Sequence, residues 1–208
     1  MKILNLYAGI GGNRKLWGNN HEITAVEYKQ EIADIYHDFF PDDKMVVANA
    51  HEYLLKHFEE FDFIWSSPPC PSHSRIRKHC AINRKGFARP EMLYPDMRLY
   101  EEIIFLRHYF KGKWSVENVI AYYKPLIPPF EIQRHHFWTN FVIQPTELEA
   151  DNIGHGIASD FEKKFDFDLS RHSGVDKRHV LRNCVNPELG KHILDCALGL
   201  NKQKTLNL

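Results

Sequence analysis

No apolar run in this chain approaches the roughly 20 residues needed to cross a bilayer, so no membrane role is expected. Cysteine is scarce: only Cys70, Cys80, Cys184 and Cys196 occur in 208 residues. Their spacing makes no disulfide framework, which points to a reducing cytoplasm. No CxxC pair exists either. Cys70, His73, His79 and Cys80 cluster, but adjacent His79 and Cys80 suit zinc poorly, so no metal is expected. An excess of either charge is also missing, since 27 Lys and Arg balance 27 Asp and Glu. General attraction of the whole molecule to nucleic acid is therefore not built in. The first apolar run is short and broken by glycines, unlike a secretory signal. There is no internal repeat and no low-complexity segment. The length suffices to bury one α/β core.

The most local absence is of acid. From Phe63 to Pro90 there is no Asp or Glu, while Arg75, Arg77, Lys78, Arg84, Lys85 and Arg89 lie within that stretch. The same stretch holds the most informative motif, Ser66-Ser67-Pro68-Pro69-Cys70. It follows Phe61-Asp62-Phe63-Ile64-Trp65, which reads as a buried strand. Two prolines stiffen the exit, because each ring fixes φ near −65°. A cysteine on a rigid turn at a strand end suits nucleophilic work, which needs a thiolate held in place. The cations that follow are expected to favour that thiolate and to attract phosphate.

Two more strand ends carry chemistry. Lys2-Ile3-Leu4-Asn5-Leu6-Tyr7 runs into Ala8-Gly9-Ile10-Gly11-Gly12-Asn13, then a helix-like Arg14-Lys15-Leu16-Trp17. Glycines at such a turn let backbone amides approach a ligand. The next apolar run, Ile23-Thr24-Ala25-Val26, ends in Glu27, where nucleotide-binding α/β folds grip ribose hydroxyls. Lys113-Trp114-Ser115-Val116 ends in Glu117. In an open α/β sheet, ligands bind beyond the carboxyl ends of the strands. Glu27, Cys70 and Glu117 are all expected there.

These segments resemble the DNA (cytosine-5) methyltransferases. Leu6-Tyr7-Ala8-Gly9-Ile10-Gly11-Gly12 is similar to the family's S-adenosylmethionine loop, with Tyr7 where Phe is usual. Ser67-Pro68-Pro69-Cys70 resembles its Pro-Cys motif, with Pro71 in place of Gln and the nearby Ser74 kept. Glu117-Asn118-Val119 matches without change, and Arg182-Asn183-Cys184-Val185-Asn186-Pro187 resembles the last motif, with Arg182 replacing Gly. The order of the four is the family's. The resemblance implies a Rossmann-like S-adenosylmethionine-dependent methyltransferase sheet with helices on both faces and a very small target-recognition region. It implies a cofactor site at Tyr7, Ala8, Gly9, Gly11, Gly12, Glu27, Tyr28, Asn49, Pro68 and Asn183. Asn49 stands where an aspartate is usual.

The implied reaction methylates C5 of a flipped cytosine in DNA, as in restriction-modification systems. Cys70 adds to C6, Glu117 supports N3 and Arg134 holds O2. The Arg-x-Arg motif survives only as Gln133-Arg134-His135-His136, so Arg134, His135 and His136 all remain candidates for the O2 contact. Ser74, Arg75, Arg77 and Lys78 are the expected DNA contacts. The implied organisation is a cofactor-binding core over 1–144, a short target-recognition region over 145–181, and a segment 182–208 whose helix returns to the core. Bases are expected to be read between Arg171 and Arg178. Amine methylation is disfavoured, because those enzymes end the proline motif in an aromatic. RNA as substrate, a partner protein for recognition, and a non-enzymatic DNA- or cofactor-binding protein on the same fold stay open, as does the oligomeric state.

Apolar spacing predicts helices over Gln30 to Phe39, His51 to Phe58, Asp96 to Phe110 and Pro187 to Leu198. Phe137 to Ile143 reads as a strand, and Pro125, Pro128 and Pro129 mark a loop.

Overall fold

The computed structural model describes residues 1–75, 94–148 and 156–200. The elements run β1 (Lys2–Leu6), β2 (Glu22–Glu27), α1 (Gln30–Phe39), β3 (Lys44–Val47), α2 (Ala50–His57), a 3₁₀ turn (Phe58–Glu60) and β4 (Phe63–Ser66). They continue with α3 (Arg98–Tyr109), β5 (Lys113–Val119), β6 (Phe130–Ile132), β7 (His135–Thr139), α4 (Ala158–Phe165), α5 (Lys177–Arg182) and α6 (Pro187–Ala197). All seven strands form one sheet in the order β3-β2-β1-β4-β5-β7-β6. The first five are parallel and the last two antiparallel.

Alternation along the strands explains the layers. Leu4, Leu6, Ile64, Trp114 and Val116 face α2 and α3 through Leu54, Leu99, Ile103 and Leu106. Ile3, Ile23, Phe63 and Trp65 face the other way, onto Trp17 and onto Leu189, Ile193 and Leu194 of α6. Both faces are covered, which is why these strands read as continuous apolar runs. The expected doubly wound sheet is what forms.

Three local expectations change. Arg14–Trp17 is not helical; it is a run of turns, with Arg14 N–H donating to Gly11 O and Trp17 N–H to Arg14 O, both at 3.0 Å. Arg14 turns inward instead, 4 % exposed, and makes bonds of 2.8 and 3.0 Å to Asp43. Tyr36 OH donates to the same carboxylate at 2.7 Å. A buried charge needs such a partner set, and here it takes precedence over the helical pattern. The antiparallel strand β7 starts earlier than expected, at His135, and ends at Thr139. Asn140 stops it by accepting from Trp114 N–H at 3.0 Å and donating to Gly112 O at 2.8 Å. The third concerns residues 158–182, the least regular stretch of the sequence, which pack on the core. Phe161, Phe165, Phe167, Leu169, Val180 and Leu181 share one apolar cluster with Ile10 and Ile35 of the core.

The carboxy-terminal helix does return to the first loop. Trp17 Nε1–H donates to Gly190 O at 3.1 Å. A Cβ on Gly190 would stand 2.4 Å from Asn13 O, and one on Gly12 would stand 2.7 Å from both Cys184 Cβ and Val185 O. Glycine at both positions is what lets the two backbones touch.

Candidate active site

Parallel strands collect the chemistry at one sheet edge. The glycine loop leaves β1, Glu27 ends β2, Cys70 lies four residues past β4, and Glu117 sits near the end of β5. Strand β7 runs the other way, pairing His135 with Val119 and Phe137 with Glu117, so its first residues reach the same edge.

The Cys70 turn is built from both sides. Cys70 O accepts His73 N–H at 2.9 Å and Ser74 N–H at 3.0 Å. Ser74 bridges to Ala121, and His73 O accepts Tyr122 N–H at 3.1 Å. Buried His73 places Nδ1 2.6 Å from Tyr123 OH, and burial holds its pKa below the ordinary value. From β5, Asn118 Nδ2–H donates to Pro68 O at 2.9 Å. This single bond ties the proline turn to the strand end that carries Glu117.

Burial pushes the Cys70 thiol up to about 11, and the Glu117 charge adds to the effect. Arg134 opposes it. The expected thiolate-favouring environment is therefore not found among the described residues. Arg77 and Lys78 lie outside them, and Arg75 does not contribute to the thiol.

Glu117 is buried at 6 % exposure, and its Oε1 lies 2.6 Å from His135 Nδ1. Of the three residues left open by sequence, His135 thus holds the carboxylate. Arg134 acts on Cys70 through its charge, and His136 points to the opposite face, 3.5 Å from Glu131. The strand register brings His135 to Glu117.

At the other end of the edge, Glu27 is gripped by backbone. Its Oε2 accepts Gly9 N–H at 3.1 Å, and its Oε1 accepts Tyr28 N–H at 2.9 Å and Lys29 N–H at 3.2 Å. Gly9 has φ +54°, and a Cβ there would meet nothing within 4 Å. Gly11 is different, since its Cβ would strike Phe40 at 2.3 Å, so its role is packing. Ala8 is also packed inside, with Ala25 and Tyr36. Tyr28 is exposed. Asn49 caps α2, accepting Glu52 N–H at 3.2 Å. Asn183 is exposed at the end of α5, one residue before the Cys184 contact with Gly12.

Sequence reasoning missed Glu102. It is fully buried and takes bonds from Tyr7, Ser66 and His51. The signal was available: Glu102 lies on the apolar stripe Leu99, Ile103, Leu106 of α3.

A sheet of this order, with a glycine loop after β1 and acids at strand ends, defines a Rossmann-like methyltransferase of the S-adenosylmethionine-dependent class. The Entamoeba histolytica methyltransferase EhMeth has the same fold, with TM-score 0.58 over 98% of this chain and 99% of that one at 11% identity. Residues 1–104, half of the chain, match the family model for C-5 cytosine-specific DNA methylase, and the chain belongs to that family. The Spodoptera frugiperda DNMT2 structure is 27% identical over 57% of this chain, with TM-score 0.38, and the match spans only 35% of the insect protein. A methyltransferase from Agrobacterium tumefaciens, titled as S-adenosylmethionine-dependent, matches 59% of this chain and 40% of its own at 12% identity and TM-score 0.39. No curated protein matches.

Proposed function

We propose that the chain is a DNA (cytosine-5) methyltransferase that acts through a covalent Cys70 adduct. The observation that carries this reading is the Asn118–Pro68 bond, which couples the Cys70 turn to the Glu117 strand end. The cofactor site fits a nucleoside. Open space lies beyond Gly9, and a carboxylate has about four acceptor sites, of which Glu27 uses three on backbone amides. Glu27 would hold the ribose, Asn49 and Tyr28 the adenine, and Tyr7, Gly9, Gly12, Pro68 and Asn183 would wall the site, with Ala8 and Gly11 packed behind it. S-adenosylmethionine, when bound, supplies the electrophilic methyl group.

The chain's own residues do the rest. The cytosine leaves the stack, at about a few kcal/mol. The Cys70 thiol loses its proton to solvent water and the thiolate adds to C6, which makes C5 nucleophilic. Glu117, positioned by His135 and carrying a proton that it shares with N3, stabilises the negative charge that addition puts on the ring. Arg134 holds O2 and favours the thiolate. After C5 is methylated, solvent water takes its proton, and expulsion of Cys70 as thiolate restores the ring.

Ser74, Arg75, Arg77 and Lys78 are proposed to meet DNA phosphates. Target recognition by 145–181 is limited, because its apolar side chains are spent on the core. The loop bearing Arg171 lies on α1, where His172 pairs with Asp38 at 3.4 Å and Glu31 and Asp34 line the same cleft. That acidic surrounding suits phosphate poorly, so the base-reading role moves toward Lys177 and Arg178 of α5.

Labelled methyl transfer to duplex DNA, single-stranded DNA and RNA tests the substrate. Cys70→Ala is expected to abolish transfer while retaining S-adenosylmethionine binding, and 5-fluorocytosine DNA is expected to trap the wild type covalently. Substantial methylation by the alanine variant would refute the adduct.

A further inference from the structure

The fully buried Glu102 stands behind the cofactor loop, and the mechanism above makes no use of it. Its Oε1 accepts Tyr7 OH at 2.6 Å and lies 3.0 Å from His51 Nδ1. Its Oε2 accepts Ser66 Oγ–H at 2.5 Å. One carboxylate on α3 thus joins three elements: the start of the cofactor loop, the last residue of β4 before the Cys70 turn, and the first turn of α2. Tyr7 sits at φ +56°, a conformation costly for a non-glycine residue unless its surroundings hold it. A phenylalanine at that position could not make the bond.

We propose that Glu102 is a positioning residue for the cofactor. It pins Tyr7 and so sets the shape of the glycine loop, and His51 sets the strength of that pin. The inference rests on the cofactor reading given above. The Tyr7 hydroxyl is kept protonated, as a donor, first by burial and then by the Glu102 charge. His51 is raised above its ordinary value of 6.5, chiefly by its bond to Glu102. Burial opposes this; the charges of Glu102 and Glu101 support it, and Arg98 opposes it. Glu101 lies 3.8 Å from His51 Nε2. The sign follows directly. The charged pair is complete below the ordinary histidine value and is lost as pH rises through the raised one. Cofactor affinity is therefore expected to fall across that window.

Calorimetry with S-adenosylhomocysteine tests this without turnover. Tyr7→Phe is expected to bind about 3- to 10-fold more weakly, and Glu102→Gln at least about 10-fold, as loss of charge-assisted hydrogen bonds implies. Adding Tyr7→Phe to Glu102→Gln is expected to cost less than Tyr7→Phe alone, since Tyr7 then donates only to a neutral amide oxygen. His51→Gln is expected to flatten the fall in affinity as pH rises above the ordinary histidine value of 6.5. If Glu102→Gln fails to fold, Tyr7→Phe still decides, because it keeps the ring. Wild-type affinity in Tyr7→Phe and Glu102→Gln, with only a lowered Tm, would reduce Glu102 to a support of the fold and overturn the proposal. A wild-type chain that binds no S-adenosylhomocysteine would fail at the cofactor reading itself, and the proposal would fall with it.

Discussion

Burial, then the Glu117 charge, hold the Cys70 thiol up at about 11, so among the described residues the thiolate is disfavoured at neutral pH. Burial and the Glu117 charge both act against ionisation. Protonating Glu117, which gives the form that donates a hydrogen bond to the lone pair of cytosine N3, removes one of the two. Alkylation of Cys70 by iodoacetamide is expected to be slow at pH 7 and to rise steeply towards pH 11, and Glu117→Gln is expected to move the rise to lower pH. A rate profile in both proteins checks this, and an unshifted profile would deny the coupling. Glu27 invites a second test. Glu27→Ala is expected to weaken S-adenosylmethionine binding by about 1–3 kcal/mol, the worth of its charge-assisted hydrogen bonds. Unchanged calorimetric affinity would place the ribose elsewhere.

At the scale of elements, the critical joint is between β5 and the proline turn. Asn118 is 2 % exposed, so truncating it leaves Pro68 O without its donor. Asn118→Ala is expected to lose about 1–3 kcal/mol of stability in urea unfolding and to slow methyl transfer through a loosened Cys70 turn. Equal rates would make the bond purely structural. The elements that sequence revealed are those whose burial follows a simple period. The parallel strands show as apolar runs, and α1, α3 and α6 show as apolar stripes. What sequence concealed depends on contacts across the fold. Arg14 leaves the helical pattern because Asp43, 29 residues on, neutralises it. His135 rather than its neighbours reaches Glu117 because β7 pairs antiparallel with β5 in one particular register. The stretch 158–182 reads as polar and irregular, yet its four spaced aromatic and aliphatic residues from Phe161 to Leu169 find their partners on α1.

For the whole molecule, balanced charge means that attraction to DNA must be local. The acid-free stretch containing Arg75, Arg77 and Lys78 is the natural place for it. DNA binding is expected to fall steeply with salt, and neutralising one of these three is expected to lower the slope by about one. With so few residues left to read base edges, the target is expected to be about two to four base pairs. Sequencing of methylated genomic DNA measures it. A stringent site of six or more base pairs from the chain alone would contradict minimal recognition, and activity only with a second protein would assign recognition to that protein.

The contact of Gly190 with Asn13 and of Cys184 with Gly12 also orders events in time. During synthesis the glycine loop emerges first, but its floor is made of residues more than 170 positions later. A nascent chain on the ribosome therefore carries an incomplete loop until α6 has left the exit tunnel, and no earlier fragment can hold the finished site.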